Sequence, residues 1–344
     1  MKPGACCWPL ECDLPEWLIE SGIGEDRAIL VDGHTILAAR VCWREPWRAG
    51  AVSLARLDHR YPGSNRGAVR LPDGTIATID ALPTDVTHGA TLTVRITRAA
   101  LAEQGRFKLA QCRPAGDGPP CPAPSLAQAL AQTDIPTRNL GMFDHSFDEA
   151  GWAELIEQAH TGVIDFPGGR LTVSPTPAMT LIDIDGPPPL LLLALAAVPL
   201  IGAALARLDI AGSVGIDFPG LESRTERQAV DQALNTTLAA TGWRGERTGM
   251  NGFGFVQLIS RLARPSLIAR MAFHPARAAA YALLRQAERI AEPGALLLVA
   301  HPSVLAAIDP PLEAELARRS GRVIRREPRN ALALHAGFAQ AVAS

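Results

Sequence analysis

Hydrophobic and polar positions alternate in short runs from Arg27 to about Pro114, a period-two pattern that predicts strands rather than helices. "RAILVDGHTILAARVCW" reads as two strands turning at Asp32-Gly33, and "GAVRLPDGTIATIDALP" repeats the device at Asp73-Gly74. "GATLTVRITRAAL" alternates in the same way. Several short strands at this spacing predict a small β-barrel. The pattern stops at "RPAGDGPPCPAPS", Arg113 to Ser125, where the density of proline and glycine predicts a linker and a domain boundary.

Beyond the linker the period lengthens. A helix-like "LAQALAQ" comes first, and "SFDEAGWAELIEQAHTG" predicts a helix with an acidic start that Gly162 stops. "GRLTVSPTPAMTLIDID" reads as a strand pair, Leu190 to Leu208 as a helix, and "AGSVGIDFPG" as a short buried strand. "RTERQAVDQALNTTLAAT" carries Ala229, Val230, Ala233, Leu234 and Leu238 at helical spacing, which marks an amphipathic helix. "FVQLISRLA" fits strand or helix. "PARAAAYALLRQAERIA" predicts a helix, "GALLLVAHP" a buried strand, "SVLAAIDPPLEAELARRSG" further helix, and "RVIRRE" a final strand. Strands alternating with helices imply an α/β (α+β) layered core. The expected units are an extension over 1–14, a hairpin plus barrel over 15–113, the linker over 114–125, a core over 126–270 and a C-terminal α/β subdomain over 271–344.

The run "GPPPLLLLALAAVPLIGAALA", Gly186 to Ala206, is uncharged and long enough to cross a bilayer. Pro199 and Gly202 interrupt it and its ends lack an aromatic belt, so the expectation is a buried helix and no membrane contact.

Composition narrows the class without choosing a function. With 47% hydrophobic and 5% aromatic residues the chain suits a globular protein. A net charge of -2 carries no global basic signature, so contact with nucleic acid would have to come from local patches. Cys6, Cys7, Cys12, Cys42, Cys112 and Cys121 form no CxxC pair, which predicts free thiols and a reducing cytoplasmic location. "MKPGACCWPLECDLPEW" has neither a long apolar stretch nor a small-residue cleavage site, and reads as a loose extension rather than a signal peptide.

The candidate chemistry lies at two acidic strand ends, "LIDIDG" with Asp183 and Asp185, and "VGIDFPG" with Asp217. Carboxylates leaving neighbouring strands at one edge repel one another unless protons, basic partners or a hard cation intervene. Magnesium takes oxygen ligands and often only one or two carboxylates plus waters, and there it can stabilise a phosphoryl transition state. A strand-terminal aspartate is also a common turn former or helix cap, and either motif alone fits that role.

Taken together, "FPGGRLTVSPTPAMTLIDIDG", "IGAALARLDIAGSVGIDFPGLESRTERQAVDQAL" and "RPSL" resemble the catalytic core of the ribonuclease E/G family in order, spacing and flanking residues from about Trp152 to Leu267. "EWLIESGIGEDRAILVDGHTILAARV" resembles the hairpin that opens that family ahead of its OB-type RNA-binding barrel. The resemblance implies an RNase H-like core behind a small N-terminal OB-type β-barrel, with 126–270 as the catalytic core. It implies magnesium-dependent hydrolysis of phosphodiester bonds in single-stranded RNA, leaving a 5'-phosphate, with manganese as a substitute metal. Asp183 and Asp217 match the family's two magnesium-binding aspartates, and Asp185 stands where the family has asparagine, adding a charge and removing a donor to the substrate phosphate.

The departures are equally specific. The family's 5'-end-sensing segment is reduced to roughly Leu126 to Asp165, so loss of end-sensing is expected. Its glycine- and arginine-bearing loop after the first aspartate motif is replaced by "GPPPLLLL". The zinc-binding CPxC link after "RPSL" is missing, with only His274 nearby, so neither zinc nor zinc-linked dimers are expected. The barrel strand that should carry stacking aromatics has Val69, Leu71 and Ile79, with Tyr61 nearest.

Arg224 and Arg227, with Arg244, Arg247, Arg261 and Arg264 downstream, form either a basic RNA track or a solvated face paired with Glu222, Glu226 and Asp231. His301 reads as a strand terminus, and Trp43 and Trp47 as packing residues. Three functions follow. The first is a compact endoribonuclease with single-stranded RNA as its partner. The second is an RNA-binding protein that kept the fold and lost efficient cleavage. The third is a scaffold using its Ala- and Leu-rich helices.

Overall fold

The computed structural model describes residues 14–116 and 118–343, with about 29% helix and 33% strand, a mixed α+β chain. Nearly all of the expected N-terminal extension, with Cys6, Cys7 and Cys12, lies outside the described residues.

Strands β1 (Glu16–Ser21), β2 (Glu25–Asp32) and β3 (Thr35–Trp43) form an antiparallel meander. The β2-β3 turn falls where Asp32-Gly33 predicts it, with Gly33 at φ 57°. The barrel follows: β4 (Val52–Arg60), β5 (Gly67–Arg70), β6 (Ile76–Ile79), β7 (Thr91–Arg98), the small hairpin β8 (Leu101–Glu103) and β9 (Arg106–Lys108), and β10 (Ala110–Pro114). Its ring closes in the order β10-β6-β5-β4-β7, with β6 and β10 parallel. Period-two alternation puts Ala55, Leu57, Val69, Ala77, Ile79, Val94, Ile96 and Cys112 inside, a core separate from the rest of the chain. Burial pushes the Cys112 thiol up to about 12, with Asp80 adding to the shift, so it stays a packed, unreactive thiol.

The expected linker is laid against the barrel. Cys121 exchanges both backbone hydrogen bonds with Val52, and Ala123 is buried in the barrel core. Next come α1 (Leu126–Leu130) and β11 (Thr137–Asn139), which adds to β1 in parallel. The helix expected over Ser146 to Thr161 is two pieces, α2 (Ser146–Glu149) and α3 (Trp152–Thr161), broken at Gly151, where φ is 88°. Gly162, at φ 70°, ends α3 as read.

The central layer is a six-stranded sheet in the order β12-β13-β14-β15-β17-β16. Its strands are β12 (Val163–Phe166), β13 (Gly169–Pro175), β14 (Thr180–Asp185), β15 (Ser213–Asp217), β16 (Gly245–Arg247) and β17 (Phe255–Ser260). Only β14 and β15 pair in parallel, joined by α4 (Leu190–Arg207). The ambiguous "FVQLISRLA" is strand β17. Leu171, Val173, Ile182, Ile184, Val214, Ile216, Val256 and Leu258 pack from one face against helices, α4 among them. The opposite face is open, so the layered arrangement implied by the sequence is one-sided here.

Helix α4 is the uncharged segment with bilayer-spanning length. In the fold it buries Leu193, Ala194, Ala197, Val198, Ile201, Ala204 and Leu205 in the core. It crosses α5 (Arg224–Ala240) at Gly202, where a Cβ would lie 2.5 Å from Thr237 Cγ2. Gly202→Val overpacks that crossing and is expected to lower the unfolding free energy by about 1–3 kcal/mol in chemical denaturation.

The remainder comprises α6 (Leu267–Phe273), α7 (Pro275–Glu288), β18 (Ala295–Ala300), α8 (Pro302–Ala306), α9 (Pro310–Ser320), β19 (Ile324–Pro328) and β20 (Phe338–Val342). "RVIRRE" is therefore not the last strand: β20 pairs antiparallel with the other edge of β18. One hydrophobic cluster joins β1–β3, the six-stranded sheet and this C-terminal sheet. The N-terminal hairpin, read with the barrel as 15–113, thus shares its core with the six-stranded sheet.

Candidate functional site: an acidic edge on the open sheet face

The open face follows from parity. Buried Ile182, Ile184, Val214 and Ile216 alternate with Leu181, Asp183, Asp185, Ser213, Gly215 and Asp217, which point the other way. Asp183 and Asp217 are direct register partners on the parallel pair β14 and β15. Their backbones are therefore about 4.8 Å apart and their carboxylates leave the same face at the same edge. Thr172 lies opposite Asp183 on the other side, and Phe255 opposite Asp217. All three aspartates are exposed. Asp183 Oδ1 accepts the Ile184 amide at 3.0 Å, while Asp185 and Asp217 accept no hydrogen bond among the described residues.

Asp185 stands one step further along β14, about 6.6 Å from Asp183. Its register partner is Arg170, whose Nε donates to Asp165 at 2.7 Å. The Asp165 carboxylate, and more weakly Asp185, raise the Arg170 pKa. Asp185 therefore belongs to an Asp165-Arg170-Asp185 row, one residue pair away from the Asp183-Asp217 row.

Two carboxylates on one edge, with no basic partner among the described residues, fit a hard cation that fills its remaining positions with water. Among the described residues no three His, Cys, Asp or Glu side chains converge into a cage. That donor set suits magnesium or manganese rather than a closed zinc site. His274 packs its ring edge-on to Trp43 at 5.7 Å between α6 and α7, a structural place. His301 caps α8 by accepting the Ser303 amide, Trp43 is buried, and Trp47 donates to Asp73.

The arginines divide. Arg224 opens α5 just beyond Asp217 and makes no side-chain hydrogen bond among the described residues. Arg227 donates to the Leu221 carbonyl at 2.8 Å, and Arg247 pairs with Asp231, so both hold local structure. Because β17 runs antiparallel to β15, Arg261 lies past its far end, a strand length or roughly 17 Å from the acidic edge. Arg264 lies there too, with Nη2 2.9 Å from Asp209 Oδ1 and Nε on the other carboxylate oxygen. Arg40 reaches the same Asp209 at 3.3 Å, which ties the N-terminal meander to the core. The continuous track considered from the sequence is therefore split between opposite edges, and Arg264 is an ion-pair partner.

Other residues enter the site through pairing alone. Phe255 lies against Asp217, and Phe253, 90% exposed, sits in the turn leading to it. Gly215 leaves room for Phe255, Leu181 and Met179, since a Cβ there would come within 2.9 Å of all three. On the barrel exterior, exposed Arg95 and Arg113 are direct cross-strand partners with no ion pair among the described residues. Like charges so placed are unfavourable until an anion neutralises them. In "GPPPLLLL", Gly186 to Pro189 are exposed beside Asp185, and Leu192 is 62% exposed, so an apolar loop borders the acidic edge.

Compared with protein-family models and with curated proteins, the chain matches none.

Proposed function

We propose that the protein is a magnesium-dependent endoribonuclease of the ribonuclease E/G type, acting on single-stranded RNA in the cytoplasm, with an RNase H-like catalytic core and an OB-type barrel. The observation that carries this reading is the register pairing of Asp183 with Asp217 on an open, solvent-facing sheet edge. Magnesium bound there would supply a Lewis acid that neutralises charge developing on the phosphoryl oxygens. Asp183 and Asp217 hold that cation, and Asp185, tied to the Arg170 row, adjusts the charge around it. Arg224 supplies a cation for a flanking phosphate, and Phe253 and Phe255 offer flat faces on which unpaired bases stack. Strand order in the barrel, with its third and fifth strands parallel, supports the OB-type reading.

The test is cleavage of a fluorescent single-stranded RNA by purified protein in magnesium or in chelator, alongside Asp183→Asn and Asp217→Asn. Cleavage that needs magnesium and both aspartates supports the proposal; cleavage that survives both substitutions overturns it. The exposed proline loop and the extra charge of Asp185 favour the second reading, an RNA-binding protein with weakened catalysis. RNA binding without cleavage would select it.

Arg95 and Arg113 give a prediction common to both readings. Replacing both with alanine is expected to weaken RNA binding and to flatten the log-log salt dependence of affinity by about 1.4, roughly 0.7 per phosphate contact on a single strand. Fluorescence anisotropy across a salt series measures it.

A further inference from the structure

A second concave site lies away from the acidic edge, where β3, the segment after the barrel and the start of α6 meet. It encloses about 110 Å³ and is lined by Cys42, Glu45, Arg48, Arg264 and Arg270, with Trp43, Pro124 and Leu126 among its apolar walls.

The charges in this cleft do not balance. Glu45 is held by Arg277 at 2.8 Å, and Arg264 by Asp209. Arg48 and Arg270 have no carboxylate within ion-pair distance among the described residues. Arg270 is only 5% exposed, donates Nη2 to the Val41 carbonyl at 3.1 Å, and lies 4.6 Å over the Trp43 ring. Its Nε is buried with no hydrogen-bond partner, and so is the Nε of Arg48. Arg48 turns Nη1 to the Cys42 thiol, which sits in the same cleft, and Nη2 to the Ala123 carbonyl at 3.4 Å. A buried guanidinium without a counter-charge costs several kcal/mol unless something anionic compensates it. Burial does lower the Arg270 pKa, against the partial support of Glu45, Glu25 and Asp209.

We propose that this cleft binds a free tetrahedral oxyanion, phosphate or sulfate, between Arg48 and Arg270. Both guanidinium groups line the cleft with no carboxylate partner among the described residues, and guanidinium is suited to binding tetrahedral oxyanions. The cleft admits an ion of that size. The site is independent of the acidic edge: its residues come from β3, the loop after it, the segment after the barrel, the approach to α6 and α6 itself, and none is a proposed metal ligand.

Cys42 provides a local reporter. Full-length protein is alkylated with iodoacetamide in phosphate, sulfate or chloride at equal ionic strength, and labelling of Cys42 and exposed Cys121 is followed by mass spectrometry. Saturating phosphate or sulfate is expected to slow labelling of Cys42 about tenfold and leave Cys121 unchanged. It is also expected to raise Tm above the chloride value by roughly 3–6 °C at hundredfold excess over Kd. Arg48→Met, at a half-buried loop position, should abolish both effects. Equal Cys42 labelling and equal Tm in phosphate and chloride would overturn the proposal, as would effects that persist in Arg48→Met. Protection by adenosine monophosphate equal to that by phosphate would overturn the restriction to a free anion.

Discussion

Glu20→Ala is expected to cost about 3–5 kcal/mol of folding free energy, the cost of breaking a buried ion pair from one side. Glu20, Arg27 and Arg285 are all less than 10% exposed. The single carboxylate takes Arg27 Nη2 at 2.6 Å and Arg285 Nη1 at 2.7 Å, with Arg289 at 3.4 Å. Arg27 also lies 4.3 Å over Phe147 and 4.9 Å over Trp152, so it cannot swing out to water without unpacking both rings. Removing Glu20 leaves Arg27 without its ion-pair partner beside Arg285, which keeps Glu25 at 3.1 Å, so the joint between the N-terminal meander and α7 loses one of its two carboxylates. Chemical denaturation of the variant measures the loss.

The same cluster has a pH signature. Burial raises the Glu20 carboxyl, but Arg27 and Arg285 outweigh it and hold the group below its ordinary range. A depressed carboxyl contributes stability above its unfolded-state pKa, about 4.3. That contribution falls away as pH drops from there through the folded-state value. Wild-type stability should therefore decline through that acid window, and Glu20→Ala should show a flatter acid limb. An acid limb identical in both proteins would remove the cluster from the account.

Asp217→Asn is expected to reduce magnesium-dependent RNA cleavage by about 10²–10³-fold, which corresponds to roughly the few kcal/mol a Lewis-acid metal supplies. The fold should be nearly indifferent, since an exposed strand-end substitution usually changes stability by no more than about 0.5 kcal/mol. Its sign without metal should be favourable or neutral. Two carboxylates leaving register-paired positions on adjacent strands repel one another, and the amide removes that repulsion. Magnesium should raise the Tm of wild type and leave Asp217→Asn unmoved, a readout of metal binding that does not depend on cleavage. A magnesium-induced Tm rise of equal size in both proteins would place the cation elsewhere.

Much of this architecture was legible in local patterns. The turn at Gly33, the stop at Gly162, the apolar Leu190 to Arg207 helix and the strands ending at Asp185 and Asp217 all follow from short-range periodicity and turn chemistry. Elements with weak local signals leave little trace in the periodicity: three-residue β11 is fully exposed, and β20, "FAQAV", lies in a segment without marked alternation. The break at Gly151 is not marked in the local pattern, because an isolated glycine is tolerated within a helix.

Alternation along "TLIDID" and "SVGID" by itself determined that Asp183, Asp185 and Asp217 would avoid the buried side of their strands. It could not determine that Asp183 and Asp217 would be register neighbours, because register depends on how α4 returns the chain to the sheet. Nor could it show that their face would stay open, which depends on where every helix docks. The ion pairs obey the same limit: Arg264 meets Asp209 across 55 residues, and Arg285 meets Glu20 across 265. Periodicity records which side of an element is apolar over a few residues. The partner of a charge, and the cover of a face, are set by contacts between distant segments, and only the tertiary structure decides them.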